Sequence, residues 1–504
     1  MVMRTLSSFA FSFFLTSRVQ CLMLALALCS SVSIAAAEDE NEYFKVTTIP
    51  VPSDLALEVT GLATLPDGRL AVAIRKGEVW IIEGAGAEKP ALEQLKYTKF
   101  ADGLHEPLGL TLHKGSLYTT QRAEVTQLID NDGDDQADEY RTAARGWGVS
   151  GNYHEYAYGP VFDAKGNLYV TLNSTMGPRP VNDAAWRGWS LRFTPQGKLE
   201  PVSAGMRSPI GIGLNHEGDL FGTDHQGNWF PTCPLYHIRD GAFHGHVDSL
   251  VDTQKPGSPL KHPGKIPTGL TVGQASEQIA GYALPAVWFP YRKMGMGSTG
   301  ILSDSTQGKF GPFADQLFVG DFTMALISRV ALEKVDGQYQ GACFPFREDF
   351  ASAVIHMTFT KDGAMFVGES NRGWNSVGSR SYGLERINWT GKMPFEIKTM
   401  TATKDGFLLT FTAPVHVATA SNPNSYSMIS YTYPYHSNYG GDEIQKATLS
   451  ICEARVISQT QVQLIIDGLR ATFVHELDAK GVRSSDGRSL LHSAAYYTLN
   501  RIPQ

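Results

Sequence analysis

The sequence predicts an all-β protein, a six-bladed β-propeller followed by a small C-terminal β-sandwich. Three observations carry this. A short strand–turn–strand phrase recurs through the first 390 residues, glycine is abundant at 50 of 504 residues, and the phrase stops near Met393 although strand-like alternation continues. The expected organisation is a leader over 1–37, the propeller over 38–392 and the sandwich over 393–504.

The phrase has a Gly-centred turn and an apolar second strand. It appears as GLATLPDGRLAVAI (61–74), GLTLHKGSLYTT (109–120), GPVFDAKGNLYVTL (159–172) and GIGLNHEGDLFGTD (211–224). It returns as GPFADQLFVGDF (311–322) and HMTFTKDGAMFVGES (356–370). The turn glycines Gly68, Gly115, Gly166 and Gly218 are spaced by about 50 residues, the period of a propeller blade. A four-stranded blade cannot bury both faces alone, so neighbouring blades must stack. The fifth copy lacks the glycine and follows an insertion at roughly 250–285. A β-sandwich array is the competing architecture. Beyond Met393, EIKTMTATKDGFLLTFTAPV, TQVQLIIDGL and SAAYYTLNRI alternate without the propeller turn, which suits a sandwich.

Residues 1–37 read as a secretory leader. Arg4 and Arg18 precede an apolar run that ends in small residues, and Ala35-Ala36-Ala37 fits a cleavage site. A membrane anchor and lipoprotein cleavage before Cys29 are the alternatives. The expected location is therefore periplasmic or secreted, with no membrane span after cleavage near Ala37. The formal net charge is −7 with no basic runs, which argues against a nucleic-acid partner. Cys233, Cys343 and Cys452 lack CxxC spacing, so no disulfide framework or zinc site can be read from them.

Asp130, Asp132, Asp134 and Asp138 in IDNDGDDQADEY occupy alternate positions of a tight loop. Four carboxylates with backbone carbonyls suit calcium, and the place between two strands predicts a structural ion. A solvated acidic turn is the alternative. Other polar residues gather before or after the apolar strands, where propeller loops meet at one rim. They are His154 in SGNYHEYAYG, Arg207 and Ser208 in GMRSPIG, Asp224 to Asn228 in GTDHQGNWF, Ser298 and Thr299 in MGMGSTG, and Arg372 and Trp374 in GESNRGWN. An arginine with a tryptophan suits a planar anionic ligand through charge and stacking.

YHEYAYGPVFDAKGNLYVTL, MRSPIGIGLNHEGDLFGTDHQGN, AFHGH (242–246) and the run from Trp288 to GDF together resemble the soluble quinoprotein glucose/sorbosone dehydrogenases. These are six-bladed propellers that hold pyrroloquinoline quinone (PQQ) and calcium in the central funnel. The resemblance covers roughly residues 50–390. The tail GLERINWTGKMPFEI resembles an exported bacterial branch of that family. The resemblance implies that His154 is the catalytic base and that Arg207 binds the quinone. By their places around the strands Ser298, Thr299, Arg372 and Trp374 are expected to line the same funnel, with Ser208 beside Arg207. The resemblance implies that backbone carbonyls of Gln226 and Gly227 hold a funnel calcium. It also implies a sugar-like alcohol or aldehyde substrate and an external electron acceptor such as a cytochrome. Departures are present: Asn173 stands where the family often has an aspartate, Ser208 replaces an asparagine, and Lys293 is out of register for the quinone-binding lysine. Glu155 or Asp163 would then orient His154. A non-catalytic propeller that binds glycans or proteins, and a metal-dependent lactonase-like hydrolase, remain alternative readings. The C-terminal region carries no rim phrase, so it is expected to be dispensable for cofactor binding.

Overall fold

Five of the six phrases fold as two adjacent antiparallel strands, because their β-branched and aromatic residues suit a pleated half-buried surface and their glycine suits the turn; the copy at 311–322 spans one strand, Leu317–Asp321. Gly68 shows the requirement: its φ is +92°, a conformation that only glycine adopts without strain, and its N–H closes the turn on the Leu65 carbonyl at 3.0 Å. In this computed structural model, residues 39–177 and 184–504 are described. The leader expected over 1–37 lies outside them. Among the described residues no helix is long and apolar enough to cross a membrane.

Among the described residues, five separate four-stranded antiparallel sheets are present, rather than six. The first comprises Val59–Thr64, Leu70–Ile74, Glu78–Glu83 and Lys96–Ala101, and the second runs from Leu110–His113 to Glu139–Arg145. The third runs from Ala157–Phe162 to Leu199–Ala204, and the fourth from Ile212–Leu214 to Val287–Phe289. The fifth separate sheet combines Val354–Phe359, Met365–Ser370 and Tyr382–Trp389 with Phe44–Thr48 from the start of the chain. Phe44 pairs with Trp389 and Thr48 with Glu385, so the N-terminal strand completes the last sheet.

The expected insertion lies inside the fourth sheet, between Cys233–His237 and Val287–Phe289, and carries a 3₁₀ helix (Val247–Gln254) and a short α-helix (Val272–Gln278). The copy after it behaves differently. Ser298–Ser303, Leu317–Asp321, Leu326–Val335 and Gln338–Arg347 pair in the same succession, but as the first four strands of an eleven-stranded sheet. The outer edge of Gln338–Arg347 is taken by Ala494–Leu499, with Gly341 opposite Thr498 and Cys343 opposite Tyr496. The expected sandwich is not confirmed as a separate unit: the strands beyond 393 join a propeller sheet along one edge. The physical reason is apolar continuity. Ala342 and Phe344 share one buried core with Phe407, Leu409, Leu464 and Tyr497, and that core would be exposed without the C-terminal strands.

The leading strands Val59–Thr64, Leu110–His113, Ala157–Phe162, Ile212–Leu214, Ser298–Ser303 and Val354–Phe359 touch in that cyclic order, and the last touches the first. Leu62, Leu110, Pro160, Ile212, Ile301 and Met357, one from each, line a central channel of about 650 Å³. Cys233 and Cys343 are buried free thiols and Cys452 is an exposed one.

A buried charge network ties the N-terminus to the C-terminal strands. His492 Nδ1 lies 2.7 Å from Glu396 and Nε2 lies 2.9 Å from Glu40. Arg347 pairs with Glu40, and Arg329 lies 3.6 Å from Glu396. Burial alone would lower the pKa of His492. The charges and hydrogen bonds of Glu396 and Glu40 override it and push the value up to about 9. A folded pKa above the ordinary histidine value contributes stability that is complete below about pH 6.5 and is lost as pH rises through about 9. Wild-type melting temperature should therefore fall between pH 7 and pH 10. His492→Gln should melt lower at pH 6 and lose most of that slope. Equal melting curves for the two proteins across this range would show that the network carries no net stability.

Candidate functional site

Side chains at two recurrent positions, just before the first strand of a sheet and just after the second, converge on a cavity of about 350 Å³. The first position supplies His154, Tyr156, Arg207, Ser208, Met296 and Gly297, and the second supplies Arg75, Asn173, His225, Phe322 and Arg372. The repeat itself makes this rim: residues at equivalent positions of stacked sheets face one axis.

His154 is exposed at the cavity and its backbone N–H is held by the Asn152 side chain at 2.9 Å. Partial burial and the positive charges of Arg207 and Arg122 keep its pKa below the usual histidine value. The imidazole is therefore neutral and able to accept a proton at neutral pH. Neither acid expected to orient it does so. Glu155 turns away and accepts hydrogen bonds from the Ser150 N–H, the Ser150 hydroxyl at 2.7 Å and the Thr175 hydroxyl at 2.7 Å. Asp163 serves its own turn, accepting from the Lys165 and Asn167 N–H groups and the Tyr169 hydroxyl.

Arg207 is held by the loop rather than by a countercharge. Among the described residues no carboxylate lies within 4.0 Å of its guanidinium; its polar neighbours are Ser208 Oγ at 3.5 Å and Met176 Sδ at 3.8 Å. A half-buried cation without an anion is suited to an anionic ligand. The loop is fixed by the fully buried carboxylate of Asp224, which accepts the N–H groups of Arg207 (2.7 Å), Ser208 (2.6 Å) and His225 (2.8 Å) and the Tyr236 hydroxyl (2.9 Å). Burial pushes the Asp224 pKa up to about 6 against these donors.

Two polar atoms at the cavity lack partners, His225 Nε2 and Asn173 Oδ1. Burial, then the charge of Arg207, lowers the His225 pKa to about 3, so this ring is neutral. Both atoms are left able to meet polar groups of a ligand in the cavity. The mouth is aromatic. Among the described residues four aromatic side chains are exposed, and three of them, Tyr153, Trp374 and Tyr439, line this cavity.

Of the remaining residues named from sequence, Arg372 lines the cavity while pairing with Glu58 at 3.1 Å, and Trp374 stands at the mouth. Ser298 and Thr299 do not line it. Both are buried within their strand, and the Thr299 hydroxyl donates to the Val354 carbonyl at 2.6 Å. The Gly227 carbonyl already accepts the N–H groups of Phe230 (3.1 Å) and Gly440 (3.0 Å), which uses both lone pairs and leaves none for a calcium ion. The Gln226 side-chain amide donates to the Pro231 carbonyl at 2.9 Å. Of the two carbonyls expected to hold a funnel calcium, that of Gly227 is thus already engaged twice. Lys293 is tied to Glu443 and Glu476 at 3.0 and 2.6 Å, away from the cavity. In AFHGH, His244 and His246 are buried core residues, and His244 stacks on Tyr236 at 4.2 Å.

Asp130, Asp132 and Asp138 bring ligand atoms within 4.8 Å of one another, between Glu124–Ile129 and Glu139–Arg145 on the outer strands of the second sheet. Asp134 is not in that group; its carboxylate accepts from Gln136 at 2.9 and 3.0 Å. Sequence reading missed Arg75, Tyr153, Tyr156, Met176 and Tyr439. Arg75 occupies the recurrent position after the second strand and was accessible to that rule, whereas Tyr439 was not.

A family model described as a domain of unknown function, DUF7133, matches residues 95–342. No curated protein matches the chain by sequence. Solved structures do match. A glucose dehydrogenase is 16% identical, with a TM-score of 0.50, over 68% of this chain and 99% of that one. The chain has the propeller fold of the soluble sugar dehydrogenases. The PQQ-bound aldose sugar dehydrogenase from Streptomyces coelicolor is 15% identical (TM-score 0.47, 68% of this chain and 98% of that one). The apo-form of the soluble aldose sugar dehydrogenase from Escherichia coli is 17% identical (TM-score 0.46, 68% and 99%).

The Asp224 clamp gives a direct test. Asp224→Ala strands three backbone N–H groups beneath the cavity, and an unsatisfied buried donor costs about 1–3 kcal/mol. Urea denaturation should show a loss of about 3 kcal/mol or more. An unchanged transition would show that the loop is held by other contacts.

Proposed function

We propose that the protein is an exported quinoprotein-type dehydrogenase that oxidises a sugar or related alcohol or aldehyde, with PQQ in the cavity at the rim of a six-bladed propeller. In this reading Ser298–Arg347 is the fifth blade, sharing its outer edge with the C-terminal strands. One observation carries the reading: a cation without a countercharge, a neutral histidine and two unpartnered polar atoms face one aromatic-walled cavity. That donor set fits a planar polycarboxylate. Arg207 would hold a carboxylate, and His225 Nε2 and Asn173 Oδ1 would meet polar atoms of the ring system. When bound, PQQ supplies the two-electron oxidant. The protein then has one chemical task, removal of the substrate hydroxyl proton as hydride leaves the carbon that bears the hydroxyl. His154, at the cavity and kept neutral by the nearby cations, would accept that proton. Tyr153 and Trp374 would stack on the substrate ring. Electrons leave to an external acceptor such as a cytochrome.

His154→Gln should lower turnover of PQQ-loaded enzyme by about 10²–10⁴-fold while PQQ affinity and melting temperature hold. Assays with an aldose panel and a dye acceptor read this. Full activity in the variant would make His154 a bystander. The wild-type rate should fall as pH drops below the depressed pKa of His154, where the base is protonated.

For the loop at 130–138 we propose a structural calcium ion held by Asp130, Asp132 and Asp138. Calcium should raise the wild-type melting temperature, and Asp132→Ala should abolish that rise without changing PQQ affinity. An identical response in wild type and variant would leave a solvated acidic turn.

A further inference from the structure

The C-terminal region was expected to be separable from the site, yet one of its loops forms a wall of the cavity. Residues 436–441 lie along residues 226–231. Trp229 N–H donates to the His436 carbonyl at 3.1 Å, and the Asn228 side chain to the Ser437 carbonyl at 2.8 Å. Gly440 N–H donates to Gly227 at 3.0 Å and Gly441 N–H to Pro231 at 3.0 Å. The approach is close enough to demand glycine. At Gly440, where φ is +64°, a Cβ would stand 2.8 Å from the Gln226 amide. The base of the loop is also fixed, because Pro434 and Tyr435 pair with Thr271 and Leu270, and the Tyr435 hydroxyl donates to the Gly245 carbonyl at 2.7 Å.

This clamp carries Tyr439 to the cavity. The side chain is 59% exposed, so its place there is not explained by core packing. The Arg207 guanidinium carbon lies 5.3 Å from its ring centroid. Arg207 also lies against Gly227, where a Cβ would stand 2.2 Å from Nε. The guanidinium thus has a glycine backbone and an aromatic ring as close neighbours, with no carboxylate to hold it.

We propose that Tyr439 is a positioning residue of the site: its ring holds the Arg207 guanidinium toward the cavity, so that the C-terminal region takes part in binding an anionic planar ligand. This rests on the reading of Arg207 as the anchor for such a ligand. Cation–π contacts at a partly desolvated site are worth enough to change affinity several-fold.

The test uses the full chain and PQQ as the probe, with equilibrium binding read by absorbance. Failure of the wild type to bind PQQ would overturn the reading of the site, and this proposal with it. With wild-type binding established, Tyr439→Phe should stay within about twofold, because the ring face is kept, and Tyr439→Leu should bind about 5- to 30-fold more weakly. The imidazole titration of His154, followed by NMR without PQQ, gives a second readout. Arg207 and Arg122 are the cations that face His154, so release of Arg207 in Tyr439→Leu should move the titration upward, and Tyr439→Phe should not. In an Arg207→Met background, Tyr439→Leu should have little further effect on PQQ binding. Wild-type affinity in Tyr439→Leu, equal weakening in Tyr439→Phe, or additive losses with Arg207→Met would each overturn the proposal.

Discussion

The site depends on a buried side-chain oxygen at the end of the second strand of a sheet, which accepts backbone N–H groups from the loop leading into the same sheet. In the fourth sheet this is Asp224, holding Arg207 and Ser208. In the Ser298–Arg347 group it is Asp321, accepting Met296 and Gly297 at 2.8 Å each. In the last sheet Glu369 accepts Ser352 at 2.5 Å; in the second a half-buried residue, Gln121, accepts His105 at 2.5 Å. The leading loops contain glycine and carry unpaired donors, so they have no ladder of their own to fix them. A buried acceptor satisfies those donors and sets each loop in place. Two sheets lack it. In the first, Arg75 follows the second strand and has no side-chain oxygen. In the third, Asn173 does have one, but it holds no loop and faces the cavity without a partner.

This arrangement yields the electrostatics that the chemistry needs. Arg207 is fixed through its backbone by Asp224, so its side chain needs no carboxylate to locate it. The carboxylates near the mouth are engaged with other arginines: Glu106 with Arg75 and Arg122, and Glu58 with Arg372. The cavity therefore keeps positive character while the surrounding rim is paired. The same cations hold His154 below its ordinary pKa. In the proposed function, a general base that stays neutral and an anchor for an anionic ligand would be two consequences of one charge distribution.

Much of this was legible in the sequence because the repeat fixes position along the propeller axis. His154, Arg207, His225, Arg372 and Trp374 were found from where they stand relative to apolar strands, and the structure brings all five to one cavity. Ser298 and Thr299 were misplaced because strand pairing starts at Ser298, one step earlier than the loop reading assumed. Within a strand, successive side chains alternate faces and lie inside the blade. The join between the C-terminal strands and the propeller was not legible for a different reason. Alternating strands read the same whether they form a sheet of their own or extend an existing edge, and only the apolar outer side of Gln338–Arg347 decides between these. Tyr439 had no local signal at all, since its place is set by hydrogen bonds to residues more than 200 positions away.

The central claim is that the cavity between His154 and Arg207 is built for a planar polycarboxylate quinone. An experimental structure of the protein grown with PQQ tests it most directly. The account predicts one PQQ molecule in this cavity, with a carboxylate on Arg207, the ring system within hydrogen-bond reach of His225 Nε2, and Tyr439 beside the arginine. PQQ bound elsewhere, or a cavity that stays free of it at saturating concentration, would contradict the account.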